Sequence, residues 1–438
     1  MLTATLLLLG VVLLAMCLLE MHVTRLPMSP ATVYLGVGWV AGWMVRAQVL
    51  TPPTAPERAD MLVVITEVAV LISLFAVGLQ LRMPWSLKGW RDAAILASLT
   101  MVVTIALATL AGWWLLPGLG FAGALLLAGI LAPTDPVLAS EVQIRSRIDR
   151  DAGRVALTAE GGLNDGTALP VVMLALGLLG IGDLGAHGLR WLWHDLAWPI
   201  AGGALLGWAF GRGLGQLIHR LLRQGHGLGW DELLYLGIIT VAYGLSRVTE
   251  TSSFLFVFAA ALGLFRRTPE AATSLAVAAA AHDELSDRLL AFGHRCGRLV
   301  EVVMVLLLGF AMPWVQWRGE PLVYAALLLV VIRPLSVFLT VPGLPKTQRR
   351  VVAWFGIRGV GSLFYLALVI DSGIPPALSV DLVNATLPAI ALSVLLHGIS
   401  ATPLMALYRK RRVLQEREKR RRQRRASARR DAAASRGT

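Results

Sequence analysis

The chain reads as an all-α polytopic membrane protein of about thirteen transmembrane helices, built as inverted six-helix repeats with broken crossing helices. Three observations predict this class. The composition is 56% hydrophobic and only 15% charged, against about 25% charged in ordinary soluble domains. Apolar stretches of about 17–25 residues recur along the chain, long enough to cross a bilayer as helices, whereas a barrel would need short alternating strands. Polar breaks also interrupt two of these stretches, seven spans apart.

The spans fall at about 2–20, 29–45, 61–80, 93–115, 120–139, 153–179, 191–221, 232–247, 253–265, 298–315, 321–341, 350–371 and 379–406. The first, Met1 to Leu19, lacks a basic leader region and a small-residue cleavage site, so it reads as a span rather than a signal peptide. The ninth is short, with room to extend into the Ala-rich stretch after Pro269. With the C-terminal tail cytoplasmic and the N-terminus outside, the inner loops hold roughly eighteen basic residues against about five outside. They include Arg25, Arg82, Arg145, Arg147, Arg150, Arg266, Arg267, Arg288, Arg295, Arg298 and Arg349. This asymmetry follows the positive-inside rule and supports the count, because one span more or fewer would scramble it.

The net charge of +13 does not point to nucleic acid. Much of the excess lies in one tail, residues 407–438, which reads as basic, cytoplasmic and disordered, in contact with anionic lipid. Cys17 and Cys296 are far apart and give no disulfide framework. No phosphate-binding glycine loop and no hydrolase motif stand out, so the reading is a transporter rather than an enzyme, without a cofactor.

The break in span five is Ala132-Pro133-Thr134-Asp135-Pro136 and the break in span twelve is Gly356-Ile357-Arg358-Gly359-Val360-Gly361. Proline cannot continue the helical ladder, and glycine tolerates unwound backbone. Because an odd number of spans separates them, the two helices run in opposite directions, the plan of transporters whose broken helices build the substrate site. The positive ends of the half-helices favour Asp135 and the negative ends favour Arg358. Dipole compensation and direct or water-mediated contact with a substrate cation are both open to Asp135.

Span six carries Glu160, Asn164 and Asp165. Ionisable groups at membrane depth mark ion or proton pathways. Glu160 and Asn164 are four apart and share a helix face, while Asp165 points about 100° further round. Glu160 needs a basic partner, for which mid-span Arg333 is the first candidate and Arg358 the second. Asp165 has an amide neighbour but no evident basic partner in its span. Such an acid can be held by a proton or by a metal cation, but not easily by both. Asp165, the Thr134 hydroxyl, backbone carbonyls and water offer the oxygens that Na⁺ or Li⁺ prefers. Glu67 faces a cavity or the interface, Glu301 lies at the interface, His282-Asp283-Glu284 reads as a solvated loop, and His397-Gly398 as a packing feature.

Thr134-Asp135-Pro136, Glu160-x-x-x-Asn164-Asp165, Arg333 and Gly356-Ile357-Arg358-Gly359 together resemble the signatures of monovalent cation:proton antiporters of the type that includes bacterial Na⁺/H⁺ antiporters and animal sodium–proton exchangers. The likeness extends to Phe75-Ala76-Val77-Gly78-Leu79 and Leu396-His397-Gly398. It implies core helices at about 93–179 and 321–406, dimerisation helices at about 1–80 and 191–315, and an elevator-like movement in a homodimer of the cell membrane, expected to be a bacterial inner membrane. It also implies Asp165 as the shared proton and cation site, Glu160–Arg333 as a structural ion pair, and electroneutral exchange. Two departures stand out. Ala76 and Val77 occupy a stretch where relatives often place an acid, and Gly161 stands where many have a hydroxyl. Both reduce the oxygens available and leave room for K⁺. A cation channel and a non-transporting scaffold are the other classes compatible with intramembrane charge.

Overall fold

The protein is described here by a computed structural model that covers residues 28–46, 59–81, 87–136, 138–139, 142–144, 151–224, 229–265 and 276–434, with a few isolated positions before residue 20, and with the side chains of 87–89, 276–282 and 413–434 excepted. All regular structure among the described residues is helical. We label the helices α1 (Pro30–Arg46), α2 (Ala59–Gln80), α3 (Leu87–Ile95, continued through a π turn, Leu96–Thr100, into Met101–Leu115), α4 (Gly120–Leu131), α5 (Ala152–Leu178), α6 (Trp198–Arg223), α7 (Asp231–Val248), α8 (Ser253–Leu264) and α9 (Ala276–Ala311). They continue with α10 (Gly319–Leu327, a π turn, Leu328–Ile332, and Arg333–Thr340), α11 (Lys346–Trp354), α12 (Val360–Asp371) and α13 (Pro376–Ala434).

Spans two to thirteen of the sequence reading fall on these helices. The first span, Cys17 and the basic residues Arg25, Arg82, Arg145, Arg147, Arg150, Arg266 and Arg267 lie outside the described residues apart from isolated positions. Six described stretches, among them Ala59–Gln80, Ala152–Leu178 and Gly319–Thr340, are long and apolar enough to cross a membrane, and Ser253–Leu264 and Val360–Asp371 are shorter apolar helices.

The structure corrects three expectations. The tenth span, drawn at 298–315, belongs to a helix that starts at Ala276, so Asp283, Glu284 and Arg288 lie on α9 rather than in a loop. Charged residues lowered the apolar signal there, yet Ala, Leu, Glu and Arg are all good helix formers. Arg288 binds Asp231 at 3.0 Å and Glu284 at 3.7 Å along that surface. Likewise α13 runs on through Ala434 where disorder is expected after 407. The tail is rich in Arg, Lys, Gln, Glu and Ala and has no proline or glycine before Gly437. Glu301 is 9% exposed and lines a cavity instead of lying at the interface.

Close backbone approach sets much of the packing. Gly203, Gly207, Gly211 and Gly215 recur every four residues on one face of α6. A Cβ on Gly207, Gly211 or Gly215 would collide with the carbonyl oxygens of Phe256, Ala260 or Leu264 on α8. Small residues at this spacing let two helix backbones touch where lipid offers no hydrophobic driving force. The same device joins α1 to α9, where Gly38 meets Leu306 and Gly42 meets Phe310. Helix α8 also packs on α2 and α5, and α12 packs on α2. Helix α5 is thereby held between α8 and the helices that carry the breaks.

Candidate functional site

Two unwound segments cross at the centre. Helix α4 stops at Leu131, earlier than Pro136, because Pro133 already lacks an N–H and its ring clashes with the preceding turn. Residues 355–359 separate α11 from α12. The main-chain N–H of Asp135 donates to the Ile357 oxygen at 2.7 Å, tying one break to the other.

The charges at this crossing meet opposite helix ends. The Asp135 carboxylate accepts from the N–H of Val360, the first residue of α12, at 2.5 Å, and from the N–H of Leu138 at 3.2 Å. The Arg358 guanidinium donates to the carbonyl oxygens of Ala132 and Pro133, just past the carboxyl end of α4. Orphaned N–H and carbonyl groups at helix ends attract charge of these signs. Asp135 is 3% exposed and Arg358 is fully buried, so neither pairing is softened by solvent.

Glu160 and Arg333 form a two-point ion pair, with distances of 2.7 and 2.8 Å. The π turn before Pro334 sets Arg333 at this depth, since proline removes one ladder bond at that point. Gly356 makes room, for a Cβ there would sit 2.8 Å from Arg333 Nε. Arg358, the second candidate for Glu160, is turned to α4 instead.

Asn164 donates from Nδ2 to the Thr134 hydroxyl at 2.7 Å, which joins α5 to the first break. This leaves Asn164 Oδ1 buried with no partner among the described residues; Asp165 Oδ1 and Ser362 Oγ share that condition. Asp165 is 2% exposed and abuts the first turn of α12: a Cβ on Gly361 would sit 2.5 Å from its Oδ1. One turn on, the Tyr365 hydroxyl donates to the main-chain oxygen of Asp165. Asp165, Asn164, Thr134, Asp135 and Arg358 thus gather at the crossing, with Glu160, ion-paired to Arg333, one turn before Asn164 on the same helix α5. A bare buried carboxylate is costly, and a proton or a cation are the two ligands that would neutralise it. Gly161 has a steric reason, because Pro136 lies 3.1 Å from where its Cβ would be and a hydroxyl-bearing side chain would push the break away.

Sequence reasoning named Gly361 only as part of the second break and missed Ser362 and Tyr365. The contacts of Gly361 and Tyr365 run to a helix about 200 residues away, and only the glycines of the second break hinted at them.

Two cavities flank the crossing. One of about 610 Å³ is lined by Glu67, Asp195, Arg247, Glu250, Asp371 and, one turn from Asp165, Leu169. Phe254 and Phe364 also line it, with ring centroids 4.9 Å apart, and Tyr365 stacks edge-on beside them. The other, of about 560 Å³, is lined by Gln80, Pro136, Gln143, His294, Arg298 and Glu301. Glu67 and Gln80 lie thirteen residues apart on α2, roughly 20 Å along a helix. The cavities therefore open toward opposite ends of the bundle.

The chain matches a family described as sodium/hydrogen exchanger, transmembrane, over residues 11–407. It is 26% identical over 317 residues to the Na(+)/H(+) antiporter 2 of Zygosaccharomyces rouxii, covering 68% of this chain and 38% of that protein. It is 28% identical over 383 residues to the K(+)/H(+) antiporter NhaP of Alkalimonas amylolytica, covering 85% of this chain and 61% of that protein. The chain thus spans less than two thirds of the length of these relatives. Its fold is similar to that of the sodium proton antiporter MjNhaP1 from Methanocaldococcus jannaschii, solved at pH 8, with a TM-score of 0.68 at 19% identity over 91% of this chain and 99% of that one.

Proposed function

Because the chain belongs to the sodium/hydrogen exchanger family, we propose that it is a secondary antiporter that exchanges a monovalent cation, Na⁺ or Li⁺, for H⁺ at Asp165. The observation that carries this reading is a buried carboxylate with an oxygen that has no partner among the described residues, set beside an unwound crossing and between two cavities. Proton and cation compete for that carboxylate. Its negative charge cannot stay bare in a dry site, so the core moves only when one of them is bound. Hard cations prefer oxygen ligands. Asp165, Thr134 and Asn164 Oδ1 supply them, with Asp135 close by, and the transported ion is a substrate rather than a cofactor. One exchangeable carboxylate carries one charge in each direction, which makes the exchange electroneutral. Glu160–Arg333 is a structural pair, and Asp135 and Arg358 compensate the half-helix ends. Helices at about 93–179 and 321–406 form the moving core. Those at about 1–80 and 191–315 form the dimerisation unit of a homodimer in the cell membrane, with the C-terminus cytoplasmic. Neither an enzymatic step nor a cofactor enters this scheme.

K⁺/H⁺ exchange is a second reading, favoured by the K(+)/H(+) antiporter NhaP at 28% identity and by the carboxyl-free stretch at Ala76 and Val77. Liposomes with a pH dye inside, given Na⁺, Li⁺, K⁺ or choline gradients, test both. We expect Na⁺- or Li⁺-driven pH changes that disappear in Asp165→Asn. A response to K⁺ alone selects the second reading, and exchange that survives in Asp165→Asn overturns the site.

A further inference from the structure

The break between α11 and α12 has two raw edges. Trp354, the last residue of α11, presents a carbonyl oxygen that no further helical turn covers and that the Gly356 N–H reaches at 3.0 Å, and Arg358 presents an N–H that no helix receives. Both edges are held by one turn of α13. His397 Nε2 lies 2.9 Å from the Trp354 oxygen, and Ser393 Oγ accepts the Arg358 N–H at 2.9 Å. Ser393 and His397 are four residues apart and 3.2 Å from each other through Oγ and Nδ1. Nδ1 also lies 2.9 Å from the Ser393 main-chain oxygen, so each ring nitrogen faces a carbonyl that can only accept, while Ser393 Oγ accepts from Arg358. A neutral imidazole carries one N–H and donates to one of these two carbonyls at a time. Trp354 and Phe355 pack their rings against the imidazole, with centroids 5.9 and 6.1 Å away. His397 is 1% exposed and Ser393 fully buried, so water does not compete.

The consequence reaches Asp165. Arg358 is anchored at its N–H by Ser393 and at its guanidinium by α4, and two residues later α12 begins. The first turns of α12 carry Gly361 and Tyr365, the two residues set against Asp165. We propose that Ser393 and His397 are positioning residues for ion exchange: through the break they fix the seat of α12 under Asp165, and with it the affinity of the site for cation and proton. This rests on the antiport reading above but assigns a role to residues outside the binding site. The charged groups around His397 are Arg358 from the break and Arg333 from α10, both cationic and both engaged elsewhere.

The test is dye-loaded proteoliposome exchange, run across cation concentration and pH, on wild type, His397→Leu, His397→Gln and Ser393→Ala. Gln places an amide N–H near the position of Nε2, whereas Leu keeps bulk and loses the donor. We expect His397→Leu and Ser393→Ala to raise the apparent KM for the driving cation about tenfold, the effect of one buried hydrogen bond. The pH profile should shift with it, because proton and cation share one carboxylate, and the maximal rate should change less. His397→Gln should recover most of the affinity. Unchanged KM and pH profile in Ser393→Ala, or a Gln variant no better than Leu, overturns the proposal. Should His397→Leu fail to fold, Ser393→Ala, which removes a single oxygen, carries the same decision. If wild type itself fails to exchange any monovalent cation, the antiport reading falls and this inference with it. If wild type exchanges and the variants match it, this inference alone falls.

Discussion

Three carboxylates near the centre, Asp135, Glu160 and Asp165, are each at most 3% exposed, yet they keep different company. Glu160 meets a guanidinium at two points, Asp135 caps a half-helix with main-chain N–H groups, and Asp165 Oδ1 has no partner among the described residues. Partnered charges hold structure, and an unpartnered one is free to exchange ligands. The two kinds respond differently to neutralisation. Glu160→Gln leaves Arg333 buried without its counter-ion and should cost about 3–5 kcal/mol of folding stability. Thermal unfolding in detergent reads this as a large drop in Tm, and the double change Glu160→Leu with Arg333→Met should recover most of it. Asp165→Asn should leave the unfolding temperature equal to or above that of wild type while flux disappears. A Glu160→Gln protein as stable as wild type would show that the pair contributes little to the fold.

Among the elements, the contact between α6 and α8 is the most sharply constrained. Four glycines let α6 reach the backbone of α8, and α8 in turn packs Phe258 into the space left by Gly162 on α5. The stack runs from the outer helices to the helix of Asp165. Gly211→Val places a methyl-bearing carbon into the Ala260 carbonyl and should destabilise the protein by ~3 kcal/mol. Gly213→Val, two residues away with open space at its Cβ, should be close to neutral in the same unfolding assay. Equal effects at the two positions would mean that helix propensity, not close approach, is what valine perturbs.

The two cavities differ in charge at the scale of the whole molecule. Glu67, Asp195, Glu250 and Asp371 line one, and His294, Arg295 and Arg298 dominate the other. In the proposed orientation, with the C-terminus cytoplasmic, the acidic cavity would face outward and the basic one inward, the sense expected from the positive-inside rule. Single cysteines test that arrangement in a background with Cys17 and Cys296 replaced by serine. An impermeant maleimide should label Glu250→Cys in intact cells and Arg298→Cys only after permeabilisation. The opposite pattern inverts the orientation, and labelling of both from one side contradicts cavities on opposite faces.

The helical class and the places where helices break were legible in the sequence, because hydropathy and the backbone chemistry of proline and glycine are local properties. Spans at 61–80 and 153–179 match α2 and α5 to within a residue or two for this reason. The start of α9 and the helical tail were not legible, since charged helix formers carry no hydropathy signal. Unpaired charge in an apolar span announces that a partner exists, but which partner is a matter of three-dimensional convergence. Arg333 meets Glu160 across 173 residues and Arg358 meets Pro133 across 225. The sequence by itself determined that this chain crosses a membrane, unwinds twice and buries acids at depth. Only the tertiary structure decided which of the three central acids keeps an oxygen without a partner among the described residues and which turn of α13 holds the break, because a buried hydrogen bond or ion pair is satisfied by whatever the fold brings within about 3 Å.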